Sequence, residues 1–364
     1  MINLFHPYIS TKARQQVSQV LKGRWIGQGP KVDQVEKKFS RMFKIPYSVT
    51  VNNGTAALHL ALILAGVKSG DEVVTTPMSC TATNIPILYC GGKVVFADIQ
   101  RETMNIDPKS IEQKITPKTK AIMVVHWAGY PCDMDEINRI AKKHNLKIIE
   151  DAAQALGAKY KGKYIGAISD YTCFSFQAIK PITSVDGGML AVSNKKDYQK
   201  AKLLRWYGID REFKGDIYWK YQIKDIGYKY HMNDMTAAIL DAQLNEWRQI
   251  NSRREQIAKR YLRELKNIPG FTLLERKKEH QSANWSFTIH VEKLNDFQKK
   301  LACQGIESHV IHIRNDICPI FGGKRRQDLP VMNQVEKIYT SIPLHNHLTD
   351  KDVEKIIRTI KSGW

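Results

Sequence analysis

Lys180 and Asp151 are the residues whose types and surroundings point to chemistry in this chain of 364 residues. Lys180 ends the run Cys173-Phe174-Ser175-Phe176-Gln177-Ala178-Ile179-Lys180, and Asp186-Gly187-Gly188 and a fresh apolar stretch follow it. Upstream, Ile148-Ile149-Glu150-Asp151-Ala152-Ala153-Gln154 is an apolar strand that ends in a carboxylate. A lysine placed after a strand, with an acid at the end of an earlier strand, suits pyridoxal phosphate. The lysine would hold the aldehyde as a Schiff base. The carboxylate would sit against the pyridine nitrogen and keep it protonated, so that the ring acts as an electron sink.

Both residues need a scaffold that brings strand ends together, and the pattern around them supplies one. Helix and strand signals alternate from about Tyr47 to about Ser193. Thr55 to Gly66 reads as a helix closed by glycine. Strands are expected at Glu72–Thr76, Lys93–Ala97, Ala121–Val125, Lys147–Glu150, Tyr171–Phe176 and Gly188–Val192, with a helix between Asp135 and His144. That alternation predicts an α/β fold, a mostly parallel mixed sheet flanked by helices, with ligands at the carboxyl ends of strands. From Asp234 to about Leu265 the chain reads as strongly helical. The remainder, with Trp285–Ile289 and Val310–Ile313, reads as a small α+β unit. The expected division is a large domain over 1–240, with an N-terminal helical arm, and a smaller C-terminal α+β domain over 241–364.

Composition narrows the classes. A formal net charge of +20 admits nucleic acid, a membrane surface or an anionic substrate as partner, but the basic residues are spread along the chain with no long basic arm. No helix-turn-helix and no interleaving of aromatic and basic residues speaks for nucleic acid. The six cysteines show no C-x-x-C spacing, so no metal is expected and a reduced, cytoplasmic protein fits. The longest apolar stretch, Ala56 to Val67, contains His59 and is too short for a bilayer.

Several stretches, in order and spacing, resemble one family. It is the sugar aminotransferases of the DegT/StrS group, fold-type-I pyridoxal-phosphate enzymes that act on nucleotide-linked keto sugars. The matching pieces are Gly23-Arg24-Trp25-Ile26-Gly27-Gln28-Gly29-Pro30, Asn53-Gly54-Thr55-Ala56-Ala57-Leu58, Gly70-Asp71-Glu72-Val73-Val74 and Lys118-Thr119-Lys120-Ala121-Ile122. They continue with Glu150-Asp151-Ala152-Ala153-Gln154, the Lys180 segment, Gly227-Tyr228-Lys229-Tyr230 and Ala237-Ala238-Ile239. The resemblance covers nearly the whole chain.

The resemblance implies roles for named residues. Gly54 and Thr55 precede a helix whose free amides suit a phosphate; alone, the stretch reads equally as an ordinary N-cap. Ser175 would bind the same phosphate. Asp151 would pair with the pyridinium, although singly it also reads as a helix N-cap for Ala152 onward. Gln154 would contact the cofactor's phenolic side. Cys80 stands where many members place an aromatic residue over the ring. Lys229 stands where many carry Asn, and would reach the cofactor phosphate of the neighbouring subunit in a homodimer. His231 replaces a frequent Arg, and Asp186 a usual Glu. Trp25, Arg24, His312 and Arg314 are the candidate substrate contacts, with a plain surface role the alternative for Arg314. L-glutamate would donate the amino group. The acceptor would be a 4-keto-6-deoxy sugar, because the Lys229 stretch and the Ala-Ile-Lys ending at Lys180 look like 4-aminotransferase members. Amination at the 3-position, a sugar dehydratase (in which His replaces the lysine) and a non-catalytic regulator are the rival readings.

Overall fold

The computed structural model describes residues 1–211, 223 and 225–364. Its central sheet is built from β1 (Tyr47–Val51), β2 (Glu72–Thr75), β3 (Lys93–Phe96), β4 (Thr119–Val125), β5 (Lys147–Asp151), β8 (Tyr171–Ser175) and β9 (Gly188–Val192). Between β5 and β8 the short strands β6 (Lys159–Tyr160) and β7 (Lys163–Tyr164) form a separate hairpin. Across the sheet the order is β1-β9-β8-β5-β4-β2-β3. The pairs from β8 through β5, β4 and β2 to β3 are parallel, while β9 runs antiparallel to both β1 and β8. The sheet is therefore mixed and mostly parallel, as the alternation of signals predicts. The strands expected within this region all form. The middle strands are continuous apolar runs because both faces are covered: Ala121 through Val125 are all buried.

Helix α1 (Thr11–Lys22) packs on the helix that starts at Asp234, while α2 (Pro30–Phe43), α3 (Gly54–Leu64), α4 (Thr81–Tyr89), α5 (Pro108–Lys114), α6 (Met134–Lys143) and α7 (Lys195–Leu204) cover this sheet. α3 is apolar all round, with Ala56 through Leu62 buried, because it lies between the sheet and α4. Its start is fixed by Asn53, whose side chain accepts the Ala56 N–H at 2.8 Å.

The helical run from Asp234 is two helices rather than one: α8 (Asp234–Asn245) and α9 (Trp247–Glu264), broken at Glu246. Past the break, Trp247 and Ile250 at the start of α9 still pack in the core under the sheet, and the rest of α9 leads to the next. Ala237, Leu240 and Leu244 of α8 join the core under the sheet, whereas Ile257, Ala258 and Tyr261 of α9 join a second core. That second core holds β10 (Phe271–Leu273), β12 (Phe287–Val291) and β13 (Tyr339–Ile342), with α10 (Leu294–Cys303) and α12 (Asp350–Lys361) packed on them. β11 (His280–Gln281) instead pairs with β6 of the large unit, and α11 (Pro330–Val335) packs into a smaller apolar cluster with Met78 and Trp127. The first residues of the chain also sit with the second core: Ile2 bridges Ile306, and the Leu4 N–H donates to Glu307 at 2.7 Å. The Val310–Ile313 run is not part of a sheet ladder; its His312 lines the cavity described next. Among the described residues, no helix is long and apolar enough to cross a membrane.

Candidate active site

The carboxyl ends of β1, β2, β5 and β8 open on one cavity of about 650 Å³. Each strand end contributes a residue and a loop. After β1 come Gly54 and Thr55; after β2, Cys80 and Thr83; β5 ends in Asp151 and leads to Gln154; β8 ends in Ser175 and leads to Lys180. His312 and Tyr230 reach the same space from later segments. The topology thus gathers residues more than a hundred positions apart.

One end of the cavity is shaped for an anion. Gly54 is the first residue of α3 and lies against Ser175: a Cβ added there would fall 2.9 Å from the Ser175 Cβ. Gly188 is equally committed, since its Cβ would meet the Asn53 carbonyl oxygen at 2.4 Å. These glycines let the helix start sit beside the end of β8. The amides of the first turn and the Ser175 hydroxyl then share one wall, the arrangement that binds phosphate.

The loop from Phe176 to Gly187 closes on itself. Ser184 N–H donates to the Phe176 carbonyl at 2.9 Å, and Lys180 N–H to that of Gln177 at 2.9 Å. Val185 takes a left-handed φ of 75°, a costly conformation for a β-branched residue, held in place here by its N–H bond to Thr183 Oγ1. This loop puts the Lys180 Nζ over the Trp285 ring, 4.3 Å from its centre. Burial among these groups pushes the Lys180 amine down to about 8, against a smaller opposing pull from the Asp151 charge. Such an amine is a ready nucleophile and base near neutral pH.

Asp151 is buried, and each carboxylate oxygen has a donor: Thr83 Oγ1 at 2.6 Å on Oδ2 and Ala153 N–H at 3.0 Å on Oδ1. The helix-cap alternative for Asp151 is not realised, because turns rather than a helix follow β5. Gln154 Oε1 accepts the Ala128 N–H at 2.7 Å, which aims its amide nitrogen at His312 Nε2, 3.4 Å away. Burial, and then the nearby Lys180 charge, push the His312 imidazole down to about 3. The ring is neutral at physiological pH, so the Gln154 amide donates to it.

The structure brings together Gly54, Thr55, Cys80, Asp151, Gln154, Ser175, Lys180 and His312. Cys80 is exposed at the cavity edge, the residue before α4. Arg24 and Trp25 lie outside the cavity lining; both are exposed, with the guanidinium 5.8 Å from the Trp25 ring centre. Lys229 is also exposed and outside this chain's own cavity, on a segment held by a bridge to Trp206.

Arg314 lies outside the cavity lining. Its side chain is buried and engaged: Nε donates to Asp316 Oδ1 at 2.7 Å, Nη2 to Asp316 Oδ2 at 2.6 Å, and Nη1 to Asn333, with Glu336 at 3.2 Å. These contacts take up four of the five guanidinium N–H groups inside the protein. The sequence reading also passed over Thr83, Trp285 and Tyr230 as site residues. Thr83, in the first turn of α4, carries no local signal in the sequence. Trp285 begins an apolar strand and reads as core. Tyr230 lay within a quoted stretch, where Lys229 drew the attention.

Sequence comparison matches residues 7–361 to the DegT/DnrJ/EryC1/StrS aminotransferase family. The chain is 38% identical to "Uncharacterized protein MJ1066" of Methanocaldococcus jannaschii, over 98% of this chain and 96% of that one. It is 33% identical to the GDP-perosamine synthase of Escherichia coli O157:H7, over 100% and 98%. Among solved structures it superposes on the sugar aminotransferase CalS13 of Micromonospora echinospora with a TM-score of 0.95, at 33% identity and full coverage of both chains. On the PLP form of the putative sugar aminotransferase Spr1654 of Streptococcus pneumoniae the TM-score is 0.92, at 29% identity, over 99% and 97%. A family model that spans nearly the whole chain, and relatives 33% and 38% identical over almost their full length, show that the chain belongs to the DegT/DnrJ/EryC1/StrS aminotransferase family.

Proposed function

We propose that this sugar aminotransferase uses pyridoxal 5'-phosphate to move an amino group from L-glutamate to a nucleotide-linked 4-keto-6-deoxy sugar. The observation that carries the reading is the Lys180 amine and the Asp151 carboxylate in one cavity, with the α3 start and Ser175 at its phosphate-shaped end. The residues fit the cofactor. The amides of Gly54 and Thr55 and the Ser175 hydroxyl would hold its phosphate. Asp151 would accept the pyridine N–H. Gln154, fixed by Ala128, faces the same space. Spr1654, a structural relative, has been solved in a PLP form.

When bound, the cofactor supplies an aldehyde that takes up the amino group and a ring that stores the electron pair left at the donor carbon. The protein moves the protons. The Lys180 amine, held near neutrality by burial, takes the proton from the α-carbon of glutamate and later delivers a proton to the sugar carbon. Asp151 stays beside the ring nitrogen and favours its protonated form, in which the developing charge is lowest in energy.

A nucleotide diphosphate suits the protein's formal charge of +20, which raises the local concentration of anions. One relative is named for a GDP-linked product. The Lys229 segment and the Ala178-Ile179-Lys180 ending support amination at the 4-position. Lys229, exposed and away from its own cavity, suits a homodimer in which each copy lends this lysine to the other's phosphate end. The six free thiols suit a reducing compartment such as the cytoplasm.

The test is product structure. The enzyme is incubated with glutamate and a dehydratase-generated 4-keto sugar nucleotide, and the amine is located by proton NMR. An amine at C4 is expected. Turnover restricted to 3-keto isomers would overturn the regiochemistry, and a protein that neither binds pyridoxal phosphate nor bleaches its visible band with glutamate would overturn the whole reading.

A further inference from the structure

The acid that faces the ring nitrogen is itself held by a directed chain of hydroxyls. Asp151 Oδ2 accepts from Thr83 Oγ1 at 2.6 Å, and Oδ1 accepts from the Ala153 N–H at 3.0 Å. An ionised carboxylate donates nothing, so Thr83 must be the donor. The Thr83 oxygen is then left as an acceptor, and Ser79 Oγ, in hydrogen-bond contact with it, becomes the donor. All three side chains are buried, Ser79 and Thr83 each at 1% exposure, so the hydroxyls have few partners other than one another and the carboxylate. The chain Ser79 to Thr83 to Asp151 runs one way.

The Ser79–Thr83 turn is clamped from the C-terminal part of the protein. Asn315 Nδ2 donates to the Ser79 carbonyl at 2.7 Å, and its Oδ1 accepts from Asn84 Nδ2 at 2.8 Å. The same Asn315 N–H reaches the Pro77 carbonyl at 2.8 Å. The segment is therefore fixed at both ends before it presents the Thr83 hydroxyl.

We propose that Thr83 is a positioning residue for Asp151. It fixes the rotation of the carboxylate, so that the lone pairs not taken by Thr83 and Ala153 face the cavity. It does so through one hydroxyl whose direction is set by Ser79, and Asn315 holds that pair in place. The proposal rests on the reading of the cavity as a pyridoxal-phosphate site.

The test compares Thr83→Val, which keeps the branched shape without the hydroxyl, with Thr83→Ser, which keeps the hydroxyl. Each is prepared as holoenzyme. The pH titration of the visible cofactor band and the single-turnover rate with glutamate are measured. A charge-assisted hydrogen bond is worth enough that Thr83→Val is expected to slow the half-reaction about ten- to hundredfold and to move the titration midpoint. Thr83→Ser is expected to keep the wild-type midpoint and a rate within about twofold. A Thr83→Val enzyme with the wild-type midpoint and rate, whatever its melting temperature, would overturn the proposal. So would a Thr83→Ser enzyme as impaired as Thr83→Val. Should Thr83→Val not fold, Ser79→Ala decides: a smaller midpoint shift in the same direction supports the chain, and a wild-type midpoint refutes it. A wild-type protein that takes up no pyridoxal phosphate refutes the underlying reading, and is seen before any variant is made.

Discussion

The Trp285 indole grips the Lys180 segment twice: its ring centre lies 4.3 Å from Lys180 Nζ, and its N–H donates to the Ile179 carbonyl at 3.1 Å. Phe5 stacks on the same ring at 5.1 Å, so a residue from the start of the chain helps to fix the wall behind the lysine. The amine is thereby presented at one point in the cavity. Replacing Lys180 by Ala is expected to leave a folded protein, because the residues around the lysine keep their own bonds. Loss of turnover should be at least about a thousandfold, the range of a group that acts as both base and acid. Borohydride treatment of wild type followed by peptide mapping should find the cofactor on Lys180. A label on another lysine would end the assignment.

The lowered pKa of this lysine gives a pH dependence of definite sign. The ordinary value is 10.5, and burial brings the amine to about 8 in the protein without cofactor. Only the neutral amine attacks an aldehyde. The rate of pyridoxal phosphate uptake by the apoprotein should therefore rise with pH and level off above about pH 8. In folding terms the unfolded chain binds the proton more tightly, so this group adds stability as pH rises between about 8 and 10.5 and adds none below. Stopped-flow measurement of uptake across that range is the check, and a midpoint near 10 would show that the lysine is not desolvated.

The glycine at the start of α3 offers a test of the phosphate end. Gly54→Ala puts a methyl 2.9 Å from the Ser175 Cβ, closer than two carbons can rest. The helix start must move away from β8, and the first-turn amides move with it. Affinity for pyridoxal phosphate is expected to fall about tenfold or more, since a charge-assisted bond to phosphate contributes roughly 1.5–3 kcal/mol. Equilibrium dialysis or quenching of tryptophan fluorescence would measure it. Affinity equal to wild type would place the phosphate elsewhere.

The parts of the site that were legible in the sequence are those where one residue carries one job. Lys180 and Asp151 were legible as a pair within their motifs, although Asp151 singly also reads as a helix N-cap, and Asn53-Gly54-Thr55 reads as a helix start whatever it binds. The parallel strands were legible because burial on both faces makes them continuous apolar runs, as in Ala121 to Val125. Thr83 was not, because its significance is a contact with a residue 68 positions away. The break at Glu246 was hidden because both flanking segments favour helix, and the packing partner changes only further on, between Ile250 in the first core and Ile257 in the second. The join between the first residues and the second core, through Ile2 and Ile306, has no signal in a local pattern at all.

Arg314 shows the same limit from the other side. In sequence it is a basic residue near His312 and so a natural candidate for an anionic substrate. In the structure its guanidinium is locked by Asp316, two residues on, and by Asn333 and Glu336. Asp316 also accepts the Arg326 N–H at 3.1 Å, so the pair ties two loops together. The two roles predict different phenotypes. A substrate contact removed by Arg314→Ala would raise KM and leave the melting temperature alone. Removal of one partner of a buried pair leaves Asp316 charged and unpaired, which typically costs about 3–5 kcal/mol. The expectation for Arg314→Ala is therefore a destabilised protein, with a lower urea midpoint, and a KM for the sugar nucleotide close to wild type in the fraction that folds. Changing both partners, Arg314→Met with Asp316→Leu, should recover much of the lost stability, because no charge is then left buried alone. Urea denaturation of the single and double variants, with KM measured on each, separates the two roles: a stable Arg314→Ala enzyme with a much raised KM would return this residue to the substrate.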